Sequence, residues 1–354
     1  MMDAVAQVVE DFTPLVNAKC YFDRVFSSQQ FEEQIYKHCV FVNCRFIKCT
    51  IESVTWLECR FQNCEFNGCD FNQSNFTQCQ CNQLSFNGSV IAGSSFEAGT
   101  FSEVIFNRCE LQKVSLAQCA GDGLAFIDCG LQSVAFVKTA IPNLVLVRSS
   151  IDNACFMSLN ITDWKTETTI FSRCLFLDAV AENKSWQETE FTGCNFQKAT
   201  LKHIDFSGAR LKATNFCNAQ LTEVVFDEAV LDESLFANAQ ITNASFNKAQ
   251  AEKSLWDSVD AAHCMWNGCR MNESIWSKAK LSNCLVKKTS LIYSQWNYSK
   301  LNNSDIIDCD LRSGSFQGQS LIDSRLKNNR TQGVAFHNKE LERLEQKAVQ
   351  AGAY

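Results

Sequence analysis

The sequence predicts an all-β chain that winds into a coil, a β-solenoid, on three observations. Large apolar side chains recur at every fifth residue, small side chains recur two residues before them, and Pro and Gly are scarce. Average usage would give about 18 Pro and 25 Gly in a chain of this length, and this one has 2 and 14. Collagen-like chains and disordered chains rich in Pro or Gly are therefore excluded, and the apolar share of 46% suffices for a core.

The five-residue period runs without a slip from Tyr21 to Phe336. Of its 64 positions, which we call the large positions, 57 hold Phe, Tyr, Trp, Leu, Ile, Met or Val, and 26 of the 28 Phe lie on them. On an α-helix these side chains would point in all directions, because five residues rotate by about 140°. On a straight strand they would alternate between faces. The chain must therefore bend once in every five residues, so that successive turns stack.

The position two residues before each large position, which we call the small position, explains the unusual cysteine content. It also takes Ala, Ser, Thr and Val, so it selects a small side chain. Successive cysteines would face different sides of the coil, and buried thiols are inert. We therefore predict neither metal binding nor disulfides for the 16 of 20 cysteines that lie there: Cys39, Cys44, Cys49, Cys59, Cys64, Cys69, Cys79, Cys109, Cys119, Cys129, Cys174, Cys194, Cys264, Cys269, Cys284 and Cys309.

Segments such as Ala209 to Phe216 (ARLKATNF) and Ala219 to Glu223 (AQLTE) resemble the pentapeptide-repeat family, whose pattern is A(D/N)LXX. The resemblance implies a right-handed quadrilateral β-helix with four pentapeptides per turn. Phe and Leu alternate at the large positions between 191 and 246, which also suits four sides. Twenty residues per turn would give about 16 coils and a rod of roughly 75 Å. One column, from Trp56 to Phe336, would be aromatic at 14 of 15 positions.

Three regions are expected. Residues 1–38 would form an N-terminal cap and first irregular coils, because Arg24, Gln29 and Gln34 occupy small positions there. Residues 39–336 would form the β-helix, irregular or looped around 159–189, where large and small residues lose their pattern. Residues 337–354 would form a short C-terminal α-helix that caps the rod or carries a homodimer contact through Leu341 and Leu344.

The sequence contains no recognisable catalytic or cofactor-binding motif. It has no G-x-S-x-G, P-loop or G-x-G-x-x-G, and its four His are far apart along the predicted coil. Acids and hydroxyls would fall on outward corners, where nothing excludes water. We therefore predict no enzyme activity, no cofactor and no metal. The beginning of the chain does not read as a signal peptide and no spanning segment is found, so a cytoplasmic location is expected.

Surface charge is the remaining source of functional information. Between Lys212 and Lys248 there is no basic residue, and opposite charges in one molecule suit a protein partner. We predict a protein-binding scaffold or adaptor, with no direct nucleic-acid or membrane binding; similar repeat proteins also accompany secretion machinery. The candidate partner-binding residues are the acidic Glu223, Asp227, Glu228, Asp232 and Glu233, and the basic Lys278, Lys280, Lys287, Lys288 and Lys300.

The resemblance suggests one alternative function, a DNA mimic that binds DNA gyrase, as quinolone-resistance members of the family do. Duplex DNA carries one charge per ~1.7 Å, so a rod of roughly 75 Å would need about 44 negative charges. The net charge of this chain is −7. The acidic residues after Lys212 approach the density of duplex DNA locally, although a coil would distribute them over three walls.

Overall fold

The computed structural model describes residues 15–336 and Arg343. The chain divides into two compact units, Met1–Val147 (unit 1) and Arg148–Tyr354 (unit 2). In both units short parallel strands pair with strands twenty residues away, so each turn of the coil has twenty residues and four sides. The predicted all-β solenoid of about 16 turns is confirmed. The predicted C-terminal helix, with Leu341 and Leu344, lies outside the described residues.

Between residues 15 and 147, the described part of unit 1, there are 22 strands. Adjacent strands follow each other at twenty-residue steps, for example Thr55↔Asn75↔Ser95. The first side comprises Leu15–Asn17, Ile35–Lys37, Thr55–Leu57, Asn75–Thr77, Ser95–Glu97, Ser115–Ala117 and Ala135–Val137. The next two sides comprise Cys20–Phe22, Val25–Ser27, Val40–Val42, Arg45–Ile47, Arg60–Asn67, Gln80–Asn87, Thr100–Asn107, Ala120–Ile127 and Val145–Val147. The last side comprises Gln30–Glu32, Thr50–Glu52, Asp70–Asn72, Val90–Ala92, Glu110–Gln112 and Gly130–Gln132.

Unit 2 contains 17 strands within its described residues. Its longest sheet comprises Val180–Ser185, Thr200–Asp205, Gln220–Thr222, Gln240–Thr242, Asp260–Ala262, Lys280–Ser282, Lys300–Asn302 and Ser320–Ile322. The other sides contain Ser150–Asp152, Lys165–Glu167, Ile170–Ser172, Met265–Asn267, Leu285–Lys287, Asp305–Ile307, Ser315–Phe316, Arg325–Lys327 and Ala335–Phe336. Between these strands single bridges such as Glu190↔Arg210 and Asn215↔Leu235 keep the same register.

The chain turns each corner at one fixed position, two residues after the large position. There 54 residues other than Gly adopt φ between 47° and 60°. In much of unit 2 the N–H of the next small residue also donates to the carbonyl of the large residue three positions earlier, as Ala219 does to Phe216 at 3.1 Å. A positive φ at the third residue of such a turn defines a type II turn. The bend required by the five-residue period is therefore a backbone conformation that residues of many types adopt.

The large positions form the core. Phe216 is fully buried, and its ring stacks on Phe196 at 5.4 Å and on Phe236 at 5.0 Å between ring centroids. The stack continues through Trp256, Trp276 and Trp296, again with parallel rings. Rings of neighbouring sides meet edge to face, an arrangement that suits their quadrupoles. The predicted aromatic column is confirmed within each unit.

Residues 159–189, where the sequence predicts an irregular or looped stretch, keep the twenty-residue register, as Asn160↔Val180↔Thr200 shows. On one side of the coil, however, the large residue stands at the small position and the small residue stands at the large position. Trp164 occupies a small position and is buried, whereas Thr166 occupies the large position and is half-buried. One turn later Lys184 occupies the small position and donates to the carbonyl of Trp164. Burial lowers the pKa of this lysine.

Where the small position holds Cys, Ser or Thr, its side chain is a hydrogen-bond donor as well as small. Cys59 Sγ donates to the carbonyl of Tyr36 at 3.1 Å and to that of Leu57 at 3.5 Å. Ser74 makes the equivalent bonds at 3.0 and 3.2 Å. All 16 cysteines predicted for this position are buried. Their thiols therefore satisfy inward carbonyl groups without adding volume, which alanine at the same position cannot do.

Removing one ring from the aromatic column tests the assignment of the core. We expect Phe216→Ala to lower the free energy of unfolding by about 3–5 kcal/mol, because it leaves a cavity between two stacked rings. Thr222→Ala, on the outside of the same stretch, should change it by no more than about 0.5 kcal/mol. Urea unfolding followed by circular dichroism measures both. Equal effects of the two variants would contradict the assignment.

Alkaline pH tests the burial of the thiols. Burial raises the pKa of Cys64 and Cys119 to about 11 and that of Cys69 to about 12, from 9.0. The folded state therefore favours the protonated thiol, and this stabilisation is complete below pH 9 and lost as the pH rises through 9–12. We expect the urea midpoint to fall steadily above pH 9. A midpoint constant from pH 8 to pH 11 would show that the thiols ionise freely.

Candidate functional site

The five acidic candidates lie in unit 2, and each has a partner on a neighbouring turn. Glu223, Glu228 and Glu233 occupy three successive corners, with φ of 54°, 60° and 60°. Their carboxylates lie 3.1 Å from His203 Nδ1, 2.8 Å from Lys248 Nζ and 3.3 Å from Lys212 Nζ, respectively.

The two aspartates in this group bind the backbone of the next turn. Asp227 accepts from the N–H and the amide side chain of Asn247 at 2.8 and 2.9 Å, and Asp232 accepts from the N–H of Glu252 at 2.9 Å. The acidic residues therefore stabilise the stacking of turns and face three directions rather than one.

Three of the five lysines come together. Lys280 and Lys300 begin neighbouring strands and are partners in register. Lys278 lies on the corner just before Lys280, and Tyr298 lies on the same corner one turn later, 44% exposed. We call Lys278, Lys280, Tyr298 and Lys300 the basic patch. No ion pair among residues 15–336 includes one of these lysines.

Lys287 and Lys288 lie on another side, apart from the basic patch. Lys288 lines a polar surface groove of about 300 Å³ together with Thr289, Ser290, Asp308, Cys309, Asp310, Asn328 and Arg330. Arg312 contacts Asp310 at 2.8 Å and Arg330 approaches it at 3.7 Å. Arg312 thereby lowers the pKa of the Asp310 carboxyl. Two acids and two bases line this groove, so their formal charges cancel and it offers no net charge for a ligand.

Sequence reasoning missed a surface on the outside of unit 2, which we call the charge-poor wall. Seven turns contribute two outward residues each to this side, and only one of the fourteen is charged. The side that precedes it in each turn has seven charged residues at its fourteen outward positions between 150 and 272. The members of the charge-poor wall are Cys155, Met157, Leu175, Leu177, Asn195, Gln197, Asn215, Cys217, Leu235, Ala237, Leu255, Asp257, Ile275 and Ser277.

The charge-poor wall is accessible and adjoins the basic patch. Met157 is 41% exposed and Leu175 37% exposed, while Leu235, Leu255 and Ile275 are half-buried. Ser277, the last of the fourteen, directly precedes Lys278 in the chain, and the uncharged side continues one turn later with Gln295 and Asn297. Depletion of charged residues is the compositional signature of the centre of a protein interface. The signal was present in the sequence, but it appears only when outward positions are compared at twenty-residue intervals.

Within residues 15–336 and Arg343, no group of three or more His, Cys, Asp or Glu side chains has an arrangement that could hold a metal ion. In the same part of the chain, no helix is long and apolar enough to cross a lipid bilayer. Within the described residues of each unit, what is available for function is the outer surface around a core of buried large side chains.

The five-residue repeat is also recognised by comparison with known protein families. Two family models match, a pentapeptide repeat region over residues 181–256 and pentapeptide repeats in eight copies over residues 57–91. No curated protein sequence matches the chain significantly.

Solved structures with a similar fold include HetL, a pentapeptide-repeat protein involved in heterocyst differentiation regulation in the cyanobacterium Nostoc sp. strain PCC 7120. It is 14% identical, with a TM-score of 0.48, over 64% of this chain and 90% of HetL. QnrB1, a plasmid-mediated fluoroquinolone resistance protein, is 16% identical, with a TM-score of 0.30, over 48% of this chain and 97% of its own. The five-residue period, the twenty-residue pairing register and the two family models together identify the chain as a pentapeptide-repeat protein.

Proposed function

We propose that this chain is a non-enzymatic scaffold or adaptor that binds another protein in the bacterial cytoplasm. The observation that carries the proposal is the charge-poor wall, bordered by the basic patch. A strip that is poor in charge and has a cationic border matches the usual anatomy of an interface, a centre depleted of charged residues with a polar rim. The partner should therefore present an apolar strip with acidic residues along one edge.

The acidic and basic candidates of unit 2 differ in whether they already have partners, and this difference supports the choice of surface. The acidic residues already have partners within the molecule, so a new partner gains little from them. Lys280 and Lys300 lie side by side in register, and like charges directly opposite each other destabilise a sheet. An acidic partner would relieve this repulsion, and rim charges of this kind mainly raise the association rate. Tyr298 adds an exposed aromatic ring, a residue type enriched at interfaces.

The remaining candidate residues have secondary places in this proposal. Lys287 and Lys288 lie around another corner and would contact only a partner that wraps the coil. The predicted homodimer contact through Leu341 and Leu344 stays a prediction. A role beside secretion machinery is one setting in which such a scaffold would act.

Charge reversal on the basic patch tests the docking surface. We expect the double variant Lys280→Glu and Lys300→Glu to lose at least tenfold of the proteins captured from a native-host lysate at about 0.15 M salt. Lys202→Glu, another exposed lysine in the same sheet, is the matched control and should retain them. Leu255→Glu, on the charge-poor wall one turn before Ile275, should lose the same proteins. If all three variants capture the same proteins as the unmodified chain, this surface is not the docking site.

The acidic corners provide one observation in favour of a gyrase-binding DNA mimic. Glu223, Glu228 and Glu233 recur at equal intervals in a stretch without basic residues. Lys212 and Lys248, at either end of that stretch, neutralise two of them.

Supercoiling by purified gyrase, with and without a quinolone, separates the two functions. We expect neither inhibition nor protection at micromolar concentration of this protein, because its acidic residues are paired and face three directions. Inhibition that disappears in the triple variant Glu223→Gln, Glu228→Gln and Glu233→Gln would replace the scaffold proposal with the mimic.

A further inference from the structure

The charge-poor wall contains one uninterrupted aliphatic run. Leu235, Leu255 and Ile275 lie in register on three successive turns of unit 2, and each of the three side chains is half-buried. Asn215 precedes them in the same column and Gln295 follows them, so a polar amide stands at either end of the run. We call Leu235, Leu255 and Ile275 the aliphatic row.

The backbone of the aliphatic row is already hydrogen-bonded. The N–H of Leu255 donates to the carbonyl of Ser234 at 2.9 Å, and the carbonyl of Leu255 accepts from the N–H of Phe236 at 2.7 Å. Leu235 and Ile275 bond to their neighbouring turns in the same way. A partner that binds by adding a β-strand needs free N–H and carbonyl groups at a sheet edge. These three residues offer none, so a partner can contact the row only through side chains.

The spacing of the aliphatic row matches one face of an α-helix over a short distance. Its side chains recur about every 4.8 Å, the separation of neighbouring turns, whereas the turns of a helix recur about every 5.4 Å. A helix laid along the row therefore drifts by about 0.6 Å per turn, or about 1.2 Å over the three side chains. An extended chain repeats one face about every 6.6 Å and drifts by about 1.8 Å per step. The row thus suits about three turns of helix better than an extended segment.

Charge distinguishes the two ends of the aliphatic row. On the corner that follows the row in each turn, Asn238 and Ser258 are uncharged and Lys278 is a cation. The signs on the opposite corner are the same at both ends and favour neither: Glu233, Lys253 and Glu273. The C-terminal end of a helix carries a partial negative charge and attracts cations. A helix on the row therefore gains most when its C-terminal end lies at Ile275, beside Lys278.

Asp257 places one negative charge beside the middle of the aliphatic row. It lies two residues after Leu255 on the same side of the coil, is half-buried, and accepts from the Ser258 hydroxyl at 3.0 Å. A Lys or Arg in the middle turn of the helix would pair with this carboxylate, because charges across an interface are complementary. The surface thus asks for a basic residue in the middle of the helix and acidic residues at its C-terminal end.

We propose that the partner binds the charge-poor wall through an amphipathic helix of about three turns laid along the aliphatic row. The inference rests on the scaffold function proposed above and names the element by which the partner docks. The helix presents apolar residues at i, i+3, i+4 and i+7 to Leu235, Leu255 and Ile275. It presents a Lys or Arg to Asp257, and acidic residues at its C-terminal end to Lys278. An extended segment and a second copy of this chain are the other occupants that the experiment distinguishes.

Two cross-linking positions measure the conformation of the docked segment. Ala237 and Ser277 lie beside the aliphatic row, two turns or about 10 Å apart. A photo-reactive diazirine residue replaces one or the other in the full-length chain, and mass spectrometry identifies the residue to which each is joined in a native-host lysate. We expect the two attachment sites to lie about six or seven residues apart, since a helix rises about 1.5 Å per residue. The site joined to position 277 should be nearer the C-terminus of the segment.

The same replacement at Thr222, in the strand Gln220–Thr222 on another side of the coil, is the control and should join to neither site. Attachment sites about three residues apart would show an extended segment, which overturns the helix and leaves the scaffold function standing. Attachment to a second copy of this chain would overturn the proposed partner. If positions 237 and 277 capture nothing that position 222 does not, the wall is not the docking surface and the scaffold proposal fails as well.

A synthetic peptide of the attached segment tests its helicity directly. We expect Pro at a solvent-facing position of the middle turn to weaken binding to the full-length chain at least tenfold, because Pro disrupts a helix interior. Ala at the same position should leave the affinity within a factor of two. Lys278→Glu in the chain should weaken binding of the unmodified peptide at least threefold. Fluorescence anisotropy measures these affinities, and equal binding of the Pro and Ala peptides, or no effect of Lys278→Glu, would overturn the proposal.

Discussion

The structure depends on one backbone constraint: a residue in the left-handed conformation, with positive φ, recurs at five-residue intervals. A residue other than Gly in this region costs of order 1–3 kcal/mol, and 54 such residues adopt it. Only a repeated and larger gain can hold so many in place. That gain comes from the interior, where each corner directs one large and one small side chain inward and each ring stacks on the ring of the next turn. Corner and core are thus mutually dependent, and neither would persist alone.

Because the corner recurs at constant five-residue intervals, residues twenty positions apart lie next to each other on neighbouring turns. The position of a residue on the coil therefore follows directly from its number in the sequence. This is why Asn43 and Asn63 bond side chain to side chain at 2.9 Å, and why Lys280 and Lys300 form one patch although nineteen residues separate them. Residues that are clustered in the sequence are, conversely, separated in space. The acidic residues from Glu223 to Glu233 are close along the chain, yet they reach three corners, and each finds its partner on another turn. A functional surface on such a coil is therefore found by comparing outward residues that lie twenty positions apart in the sequence.

Much of the interior could be predicted from the sequence, since Phe216 and its equivalents recur too regularly for any other architecture. The corner conformation could not, because its positions hold Lys, Glu, His, Asn and Ala, residues with no common turn signature. The behaviour of Trp164 and Thr166 was also hidden. A sequence period marks them as two exceptions, whereas in three dimensions they are one exchange of bulk between adjacent inward positions. Similarly, size explains why cysteine occupies the small position, but its second role, donating to inward carbonyls, needed atomic distances.

A core that is repeated turn after turn leaves the outward residues free to vary, because none of them is needed to define the fold. Apolar side chains that remain on the outside then call for a separate explanation. Those of the first described turn, such as Tyr21 and Phe26, follow from geometry, because among the described residues rings stack on only one face of each. The charge-poor wall has no such cause. It runs along unit 2 from Cys155 to Ser277, where parallel bridges pair each turn with the next, and seven of the fourteen outward residues on its neighbouring side are charged. The fold therefore accounts for the exposed rings of the first turn but gives no reason for the charge-poor wall, which is why we propose the wall as the binding surface.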